Sequence, residues 1–372
     1  MKKTIVINKT PVDIFILDKP TSNEVTYCIP KNLTYTILEI RNSIIIIFNF
    51  KFIFYFITFF LKTKKIMLSS VMAAIMIKKV RLLITFTDTI DIFSIIDNLL
   101  PNIHKIVIQN GSRTNQDYHA WNKIRYFPIL FCFGEYEKLL ISNMGGKIDL
   151  AIAAGSLRYG IFKKNYSNLT FNNDIIFISQ WRNDYINYKE GNVEILENKK
   201  ILLPLLLSYS KRLNKNFKIL LSTSDSDSSN SEEKFFFKKI MNIDNDMIFI
   251  NKKTFVDAYQ CCENAELIVS YDSTLLFEMY GARKKAIFLG SQPKIMKKIG
   301  WDLLCDKLVD CVKIQDYKNE NDFINKLTYL LDLNQNEYLE LTNFSRNYYM
   351  SFQNNFPQIE IQNKIKNLLK YE

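Results

Sequence analysis

The sequence predicts an α/β protein of two domains, each built on a mostly parallel sheet with helices on both faces. Its 372 residues exceed one ordinary hydrophobic core and fit two domains of roughly 150 to 180 residues. Short apolar runs alternate with segments of helical periodicity, which is the order of elements in doubly wound, Rossmann-like domains. Hydrophobic residues make up 48% of the chain, so two cores can be buried.

Four apolar runs in the N-terminal half lack the alternation of half-exposed strands and therefore predict strands buried on both faces. They cover residues 80–87, 105–108, 129–133 and 148–154. Each is followed by a polar loop. Because ligands bind beyond the carboxyl ends of the strands in such sheets, the four loops should line one edge of a domain that spans residues 1–168.

The second half repeats the pattern in a domain predicted over residues 169–335. The predicted strands cover residues 174–179, 217–222, 247–250, 267–270 and 286–289. The predicted helices cover residues 194–213, 232–241, 254–264 and 274–280, and further amphipathic helices follow over residues 336–372. The loop over residues 222–233 contains Asp225 and Asp227, but a run so polar favours a solvated loop over a metal site.

Charge is distributed unevenly along the chain. Residues 1–172 hold 22 basic and 11 acidic residues, whereas the remainder holds 27 of each, so the formal net charge of +11 belongs to the N-terminal half. Residues 40–87 contain eight basic residues among apolar runs and no acidic residue. This stretch predicts a peripheral contact with the inner membrane surface. Nucleic-acid binding is disfavoured, because the charge accompanies apolar runs and no recognition motif occurs.

Residues 43–61 read SIIIIFNFKFIFYFITFFL and raise the question of a membrane span. A spanning helix needs about 20 predominantly apolar residues, and here Asn49 and Lys51 lie near the middle, where a charge is expensive. The run is rich in β-branched and aromatic residues, so we favour a buried strand and helix of the first Rossmann-like domain. A membrane-docking element and a true span are the alternatives.

Cysteine and histidine are used sparsely. Six cysteines occur without a CxxC pair, and His104 and His119 are the two histidines of the chain. This pattern fits neither a zinc site nor a disulfide framework, and we expect no bound metal and no cofactor. The chain starts with a short strand-like run rather than a signal peptide. These features favour the reducing cytoplasm.

The most informative stretch, residues 266–290, reads ELIVSYDSTLLFEMYGARKKAIFLG. A predicted buried strand delivers Asp272, Ser273 and Thr274 to a helix start, where free backbone N–H groups and hydroxyls hold anions. Glu278 lies one turn further along the same face. The arrangement suits the phosphates and ribose of a nucleotide-sugar. An ordinary N-capped helix, with Glu278 on a wet face, is the alternative.

This stretch resembles the donor-site signature of two-Rossmann-domain (GT-B type) glycosyltransferases. Together with QNGSR, FGEYE, AGSLRYG and ISQWRNDY, it gives the chain a resemblance to a bacterial family of surface carbohydrate biosynthesis proteins, over roughly residues 80–330. The motifs are more specific for the fold than for the substrate. The resemblance implies a central cleft and transfer of a sugar from a nucleotide-sugar to a growing surface polysaccharide or a lipid-linked acceptor, of capsule or lipopolysaccharide type.

The resemblance also assigns roles to individual donor-site residues. It places the phosphates near Ser273 and Thr274, with Ser270 beside them, and the ribose near Glu278. Arg182, in the loop after the first strand of the second domain, is the predicted cation for the diphosphate leaving group. An arginine fork suits phosphate oxygens and stabilises the charge that develops as the glycosidic bond breaks.

The acceptor side requires a group that removes the hydroxyl proton in an inverting transfer. Glu135 is the first candidate and Asp88 the second, because both follow predicted buried strands at the ligand-binding edge. Either residue could instead cap the helix that follows it. The predicted acceptor-binding residues, which share the loops of that edge, are Asn110, Arg113, Ser156 and Arg158. The two arginines suit an anionic acceptor such as a lipid diphosphate or an acidic sugar.

Three other functions are compatible with the same sequence. A nucleotide-sugar 2-epimerase of related architecture would use the same donor site, and a transferase of CDP-activated polyol phosphates would use the same phosphate-binding turn. A non-catalytic scaffold of polysaccharide assembly would keep the fold without the activity. Substrate incubation separates them, because an epimerase changes the nucleotide-sugar without an acceptor and a scaffold does nothing.

Overall fold

In the computed structural model, the chain folds into two parallel six-stranded sheets with flanking helices. The structure describes residues 3–6, 10–18, 21–39, 43–47, 49–89, 92–113, 126–166, 172, 174–181, 190–224, 226–271, 273–290, 306–314, 319–352 and 356–370. Its α/β architecture confirms the predicted pair of Rossmann-like domains. All strands of the first sheet lie within residues 14–153 and those of the second within residues 174–314.

The first sheet has the strand order β3-β2-β5-β6-β7-β8. Its strands are β2 (Ile14–Leu17), β3 (Tyr35–Leu38), β5 (Leu82–Thr85), β6 (His104–Ile108), β7 (Tyr126–Cys132) and β8 (Lys147–Ala153). The helices beside them are α1 (Ser22–Thr26), α4 (Phe93–Leu99), α5 (Glu135–Asn143) and α6 (Leu157–Asn165). All four strands predicted for this half are present. Strand β5 is completely buried, as predicted, and so is β2. Strand β8, however, lies at the edge of the sheet with exposed side chains, so the prediction that it is buried on both faces is wrong.

A small additional layer combines the first strand of the chain with the segment between β3 and β5. It consists of β1 (Lys3–Val6), which pairs in parallel with β4 (Ser43–Ile46), and of the helices α2 (Phe50–Thr63) and α3 (Ile66–Lys78). Residues 43–61 therefore contribute a strand and a helix, as predicted, but the predicted burial of the helix is wrong, because Phe50, Phe54 and Leu61 are exposed. They do not belong to the main sheet, however, because β4 has β1 as its partner and the main sheet passes from β2 directly to β5.

Only part of the predicted membrane surface over residues 40–87 is exposed in the structure. Helix α3 is mostly buried beyond its exposed first residues, Ile66 and Met67, and its Lys78 ammonium donates to the carbonyl of Thr10 at 2.8 Å. Helix α2 buries Phe52 and Phe59 but exposes its opposite side. Among the residues that the structure describes, no helix combines the length and apolar character needed to cross a bilayer.

The second sheet has the strand order β11-β10-β9-β12-β13-β14, again entirely parallel. Its strands are β9 (Asp174–Ile178), β10 (Asn216–Ser224), β11 (Phe249–Lys252), β12 (Leu267–Ser270), β13 (Ala286–Leu289) and β14 (Lys313–Ile314). Its helices are α7 (Glu190–Arg212), α8 (Asn230–Met241), α9 (Phe255–Asn264) and α10 (Thr274–Gly281). Numbered within the domain, the order is 3-2-1-4-5-6, that of dinucleotide-binding sheets.

Three helices end the described chain: α11 (Glu320–Asp332), α12 (Gln335–Tyr349) and α13 (Pro357–Lys370). Helix α11 packs on the second domain through Phe323 and Leu327, which belong to its core. Helix α13 returns to the first domain, where Ile361 and Ile365 join the cluster of β2 and β5 side chains. The C-terminal segment therefore ties the two domains together.

Candidate functional site

The crevice of the second sheet lies where strand order reverses, between β9 and β12. The carboxyl ends of these neighbouring strands bring Ser179 and Ser270 together, and ligands of doubly wound sheets bind at this point. Ser270 is completely buried and donates its hydroxyl proton to the carbonyl of Ile178 at 2.9 Å. In this structure Ser270 therefore joins the two strand ends.

Helix α10 begins beside this crevice and faces the first domain. Ser273 is its N-cap residue, with no side-chain capping hydrogen bond. The hydroxyl oxygen of Thr274 accepts from the backbone N–H of Ser112 at 3.0 Å and lies 3.1 Å from the Ser112 hydroxyl. The start of α10 is thus held against the loop after β6, which puts the Thr274 hydroxyl at the interface of the domains.

Glu278 lies one turn along α10 and is buried rather than wet. Its Oε1 accepts from the hydroxyl of Ser156, in the first domain, and its Oε2 accepts from the hydroxyl of Tyr259 at 2.8 Å. Burial raises the pKa of Glu278 to about 7, although both hydrogen bonds and the charge of Arg158 act in the opposite direction. The carboxyl group therefore titrates near neutral pH at a contact between the domains.

The loops of the first domain carry an ion pair next to this interface. The Arg113 guanidinium donates to both carboxylate oxygens of Asp88, from Nε at 2.9 Å and from Nη2 at 2.6 Å, and Nη2 also donates to the side chain of Asn110 at 2.7 Å. Asp88 is buried. Such a bidentate pair holds Arg113 in one geometry and brings three of the predicted residues into one network.

The two glutamates of the FGEYE segment differ in environment. Glu135 opens α5 with its side chain 54% exposed and pairs with Lys138 at 3.4 Å. Glu137 is buried, and its Oε1 accepts from the backbone N–H of Arg113 at 3.2 Å. Within the described residues, its Oε2 has no hydrogen-bond partner. Burial raises the pKa of Glu137 to about 8, against the opposing effects of Gln109 and Arg113.

Glu137 was not among the predicted site residues, although the sequence carries a signal for its burial. The buried residues of α5 are Tyr136, Glu137, Leu140 and Ile141, which is the spacing of one helix face. Glu137 therefore lies on the apolar stripe of the helix and Glu135 does not. A carboxyl group on such a stripe is buried, and its pKa rises for that reason.

A cavity of about 430 Å³ lies between the domains at this site. The first domain contributes Asn110 and Arg158 to its wall, and the second contributes Lys252, Lys253 and Glu278 among others. Arg158 is held by Glu24, with its Nε 2.8 Å from the carboxylate oxygen. Burial lowers the pKa of Lys252, an effect that Glu233 opposes. Three cationic side chains thus surround a space large enough for a small anionic ligand.

Lys252 and Lys253 were also not among the predicted site residues. They follow the apolar run of β11 at the carboxyl edge of the sheet, the position at which the other loops were expected to bind a ligand. Asp18 was not predicted either, although it follows β2 at the corresponding edge of the first sheet. It is completely buried and has a left-handed backbone conformation, with φ of 76°. The Thr87 hydroxyl donates to Asp18 at 2.8 Å, beside the point where the strand order of the first sheet reverses.

Several predicted residues cannot be placed. Arg182, Asp272, His119 and Asp225 lie outside the described residues. Asp227 is exposed and accepts hydrogen bonds from the backbone and hydroxyl of Ser229, which lower its pKa. This residue closes a turn, as a solvated loop requires. Within the described part of the chain, no group of three or more His, Cys, Asp or Glu side chains could hold a metal ion.

Comparisons with known proteins bear on the family and on the fold. A family model described as "putative O-antigen biosynthesis protein" matches residues 106–305, more than half of the chain. Among curated proteins, none matches the chain by sequence.

Solved structures resemble the chain over nearly its whole length. S. aureus MnaA in complex with UDP has a TM-score of 0.55 at 12% identity, covering 100% of this chain and 98% of its own. The UDP-GlcNAc 2-epimerase of Methanocaldococcus jannaschii has a TM-score of 0.52 at 13% identity, covering 99% and 100%. A variant of the wall teichoic acid polymerase TagF has a TM-score of 0.51 at 12% identity, covering 98% and 90%. At these identities the likeness is one of fold, and it agrees with a GT-B-like arrangement of two domains.

Proposed function

The chain belongs to the O-antigen biosynthesis protein family whose model it matches, and on this premise we propose that it is a glycosyltransferase. It moves a sugar from a nucleotide-sugar donor to a growing surface polysaccharide or a lipid-linked acceptor, of the capsule or lipopolysaccharide type. The proposed reaction takes place in the cytoplasm and needs neither a bound metal nor a cofactor.

One observation supports this proposal most strongly, namely the cavity between the domains. Thr274 and Leu275 at the start of α10 lie on one side of it, and Arg158, Lys252 and Lys253 supply positive charge around it. A helix start and cations are the groups that proteins use for phosphate oxygens. We assign the diphosphate of the donor to this space, with Ser273 and Thr274 as its hydroxyl ligands.

Glu278 is the proposed ribose ligand. Its two oxygens already accept from Ser156 and Tyr259, but an ionised carboxylate has about four acceptor positions. A ribose hydroxyl can therefore donate to Glu278 without displacing either partner. The MnaA structure, which resembles the chain in fold, contains UDP, and this supports a nucleotide as the ligand. Arg182 and Asp272 complete the proposed donor site.

Proton removal from the acceptor is assigned to the first domain, with Asn110, Arg113, Ser156 and Arg158 as the proposed acceptor-binding side. Between the two candidate bases, the geometry favours Asp88. It is joined through Arg113 to Asn110, which lines the cavity, whereas Glu135 is exposed and paired with Lys138.

Nucleotide binding is the first test. Thermal unfolding of the purified chain is measured with UDP, CDP, GDP and ADP at about 100 times the dissociation constant. A bound nucleotide should stabilise the protein by about 2.7 kcal/mol, which raises the Tm by several degrees at this size. Glu278→Ala should weaken that nucleotide more than tenfold, because it removes a charge-assisted hydrogen bond of about 1.5 to 3 kcal/mol.

The matched control is Lys234→Ala, which removes a helix side chain outside the cavity lining and should leave the shift unchanged. If no nucleotide raises the Tm, the donor site is wrong. If Glu278→Ala binds as well as the wild type, the carboxylate is not a ribose ligand.

Activity distinguishes the proposed transferase from its alternatives. A transferase releases the nucleotide only when an acceptor is present, whereas an epimerase converts the nucleotide-sugar alone. A polyol-phosphate transferase consumes a CDP-activated polyol phosphate and releases CMP, and a scaffold consumes neither substrate. The nucleotide that raises the Tm selects the donors for this assay. An acceptor-independent change at the sugar would replace the proposed function by epimerisation.

A further inference from the structure

Helix α2 presents a continuous apolar stripe to solvent. Its side chains Phe50, Ile53, Phe54, Ile57 and Leu61 are between 51% and 92% exposed. At 3.6 residues per turn these five positions fall within an arc of about 100° on one face of the helix. The opposite face packs against the protein through Phe52 and Phe59. Isolated exposed apolar residues are ordinary, but a contiguous stripe of this length marks a contact surface.

Basic residues border the stripe. Lys51 and Lys62 lie along one side of it, and Lys64 and Lys65 follow at the junction with α3; all four are exposed. The nearest acidic residues in the sequence are Glu39 and Asp88, so this part of the chain has no negative side chain of its own. A helix with aromatic and aliphatic residues on one face and lysines beside it is the form of an interfacial membrane helix.

An apolar cavity of about 670 Å³ opens next to the stripe, between β4 and α2. Its wall includes Ile44, Ile46, Phe50, Ile53 and Phe56. Phe50 and Ile53 thus belong both to the stripe and to the cavity. If the stripe is inserted among lipid acyl chains, hydrocarbon lies next to the opening of this cavity. In water, the apolar cavity wall is exposed instead, which costs free energy.

We propose that α2 docks this protein in the plane of an anionic phospholipid bilayer, with Phe50, Phe54, Ile57 and Leu61 among the acyl chains and the neighbouring lysines at the headgroups. An acyl chain of the bilayer occupies the cavity beside β4. The helix has 14 residues and therefore lies along the surface rather than crossing it. Docking does not depend on the proposed sugar transfer and is tested without it.

The charge distribution favours a bilayer over a second copy of the chain. In a symmetric dimer through α2, the same face would meet itself, so the lysines of both copies would be brought together without acidic partners. An anionic headgroup layer supplies the opposite charge. The attraction to such a surface falls with ionic strength, because salt screens it within a Debye length.

The test is flotation of the full chain with vesicles of phosphatidylcholine alone or of phosphatidylcholine with phosphatidylglycerol. The wild type should float with the anionic vesicles, and high salt should release much of it. Phe54→Gln, Ile57→Gln and Leu61→Gln in one variant should lower the partition coefficient more than tenfold, since three apolar side chains no longer enter the bilayer. Gln keeps a high helix propensity, so the melting curve should not change.

The matched control carries Phe235→Gln, Met247→Gln and Phe344→Gln, three equally exposed apolar side chains elsewhere on the surface. It should float like the wild type. Replacing Lys51, Lys62, Lys64 and Lys65 by Gln should remove the preference for anionic vesicles and its salt dependence. Absence of flotation in the wild type, or equal loss in the control, overturns the proposal. A dimer in light scattering that the stripe variant converts to a monomer would assign the face to a second copy instead.

Discussion

At the scale of single residues, the site depends on carboxyl groups that are buried without a full ionic partner. Glu278 is held by the hydroxyls of Ser156 and Tyr259, and Glu137 by a backbone N–H. Asp88 instead faces a guanidinium with two hydrogen bonds. Burial favours the neutral form of a carboxyl group and a cation favours the charged form. Groups with these contrasting environments are typical of functional clefts.

The pKa of Glu278 has a consequence for stability. The folded-state pKa of about 7 exceeds the ordinary value of 4.5, so the folded protein binds more protons than the unfolded chain between these pH values. The stability that protonation confers is present below about pH 4.5 and is lost as the pH rises to about 7. The difference is on the order of 3 kcal/mol. Glu278→Gln removes the titration, so its free energy of unfolding relative to the wild type should rise across this window.

Chemical denaturation at several pH values measures this difference. Glu137→Gln should show the same sign over a window that extends to about pH 8, because burial raises the pKa of Glu137 further. A difference between wild type and Glu278→Gln that stays constant from pH 4 to pH 8 would contradict the raised pKa.

The proposed base is tested by two nearly isosteric changes. A general base contributes about 10²- to 10⁴-fold to turnover, so Asp88→Asn should lower turnover by that factor while nucleotide binding in the second domain stays nearly unchanged. Glu135→Gln is the matched control, since this residue is exposed and paired with Lys138. If only Glu135→Gln lost turnover, Glu135 rather than Asp88 would be the base. Thermal melts are needed beside the assay, because Asp88→Asn also removes the counterion of Arg113.

At the scale of elements, helix starts and strand ends build the site. Ser156 caps α6 by accepting from the Tyr159 N–H at 3.2 Å and also donates to Glu278. Tyr159, in the first turn of α6, donates its hydroxyl proton to Glu263 of α9 at 2.5 Å. Through Ser156 and Tyr159, the start of α6 therefore contacts both α10 and α9. The orientation of α6 and the position of the cavity wall are coupled through these contacts.

Packing between α5 and the end of α12 gives a second prediction at this scale. A Cβ added at Gly134, before α5, would lie 2.3 Å from the carbonyl oxygen of Tyr348, which is backbone and cannot rotate away. Gly134→Ala should therefore cost about 3 kcal/mol, at the upper end of overpacking costs. Gly145→Ala is the control. Gly145 has a left-handed φ of 78° but open space around it, so only the backbone strain of about 1 kcal/mol applies.

Urea unfolding of both glycine variants measures the two costs. The expected order is a clearly larger loss for Gly134→Ala than for Gly145→Ala. Equal losses would show that α5 and α12 can separate slightly without penalty, and the close approach would then be unimportant for stability.

At the scale of the whole molecule, the return of the chain explains how two sheets form one cleft. Helix α12 contacts both α10 and α5, and α13 packs on the first domain, where Gln358 donates to the carbonyl of Gly160 at 3.0 Å. Arg81 of the first domain donates to the carbonyl of Leu369 at 2.8 Å. These contacts hold the two domains together, so that loops from both sheets face the same cavity.

The sequence by itself determined the strands of residues 80–290, the helices of residues 194–280, the parallel character of both sheets and the edge on which the polar loops lie. These features depend on local periodicity and on the rule that ligands bind at the carboxyl ends of parallel strands. It also identified Ser273, Thr274 and Glu278 as a group, because they share one helix start. Strands β2 and β3 were missed, since two four-residue runs carry little periodic signal.

Tertiary structure alone decided which carboxylates are buried and what they contact. The partners of Glu278 lie at positions 156 and 259, and Asp88 meets Arg113 across 25 residues of sequence. Glu135 and Glu137 stand in the same segment, yet one is exposed and the other buried. Which face of a helix turns inward, and which hydrophobic stretch is left outside, follows from packing between elements distant in sequence. Burial then decides the pKa of each group, because the cost of desolvating a charge depends on everything that surrounds it.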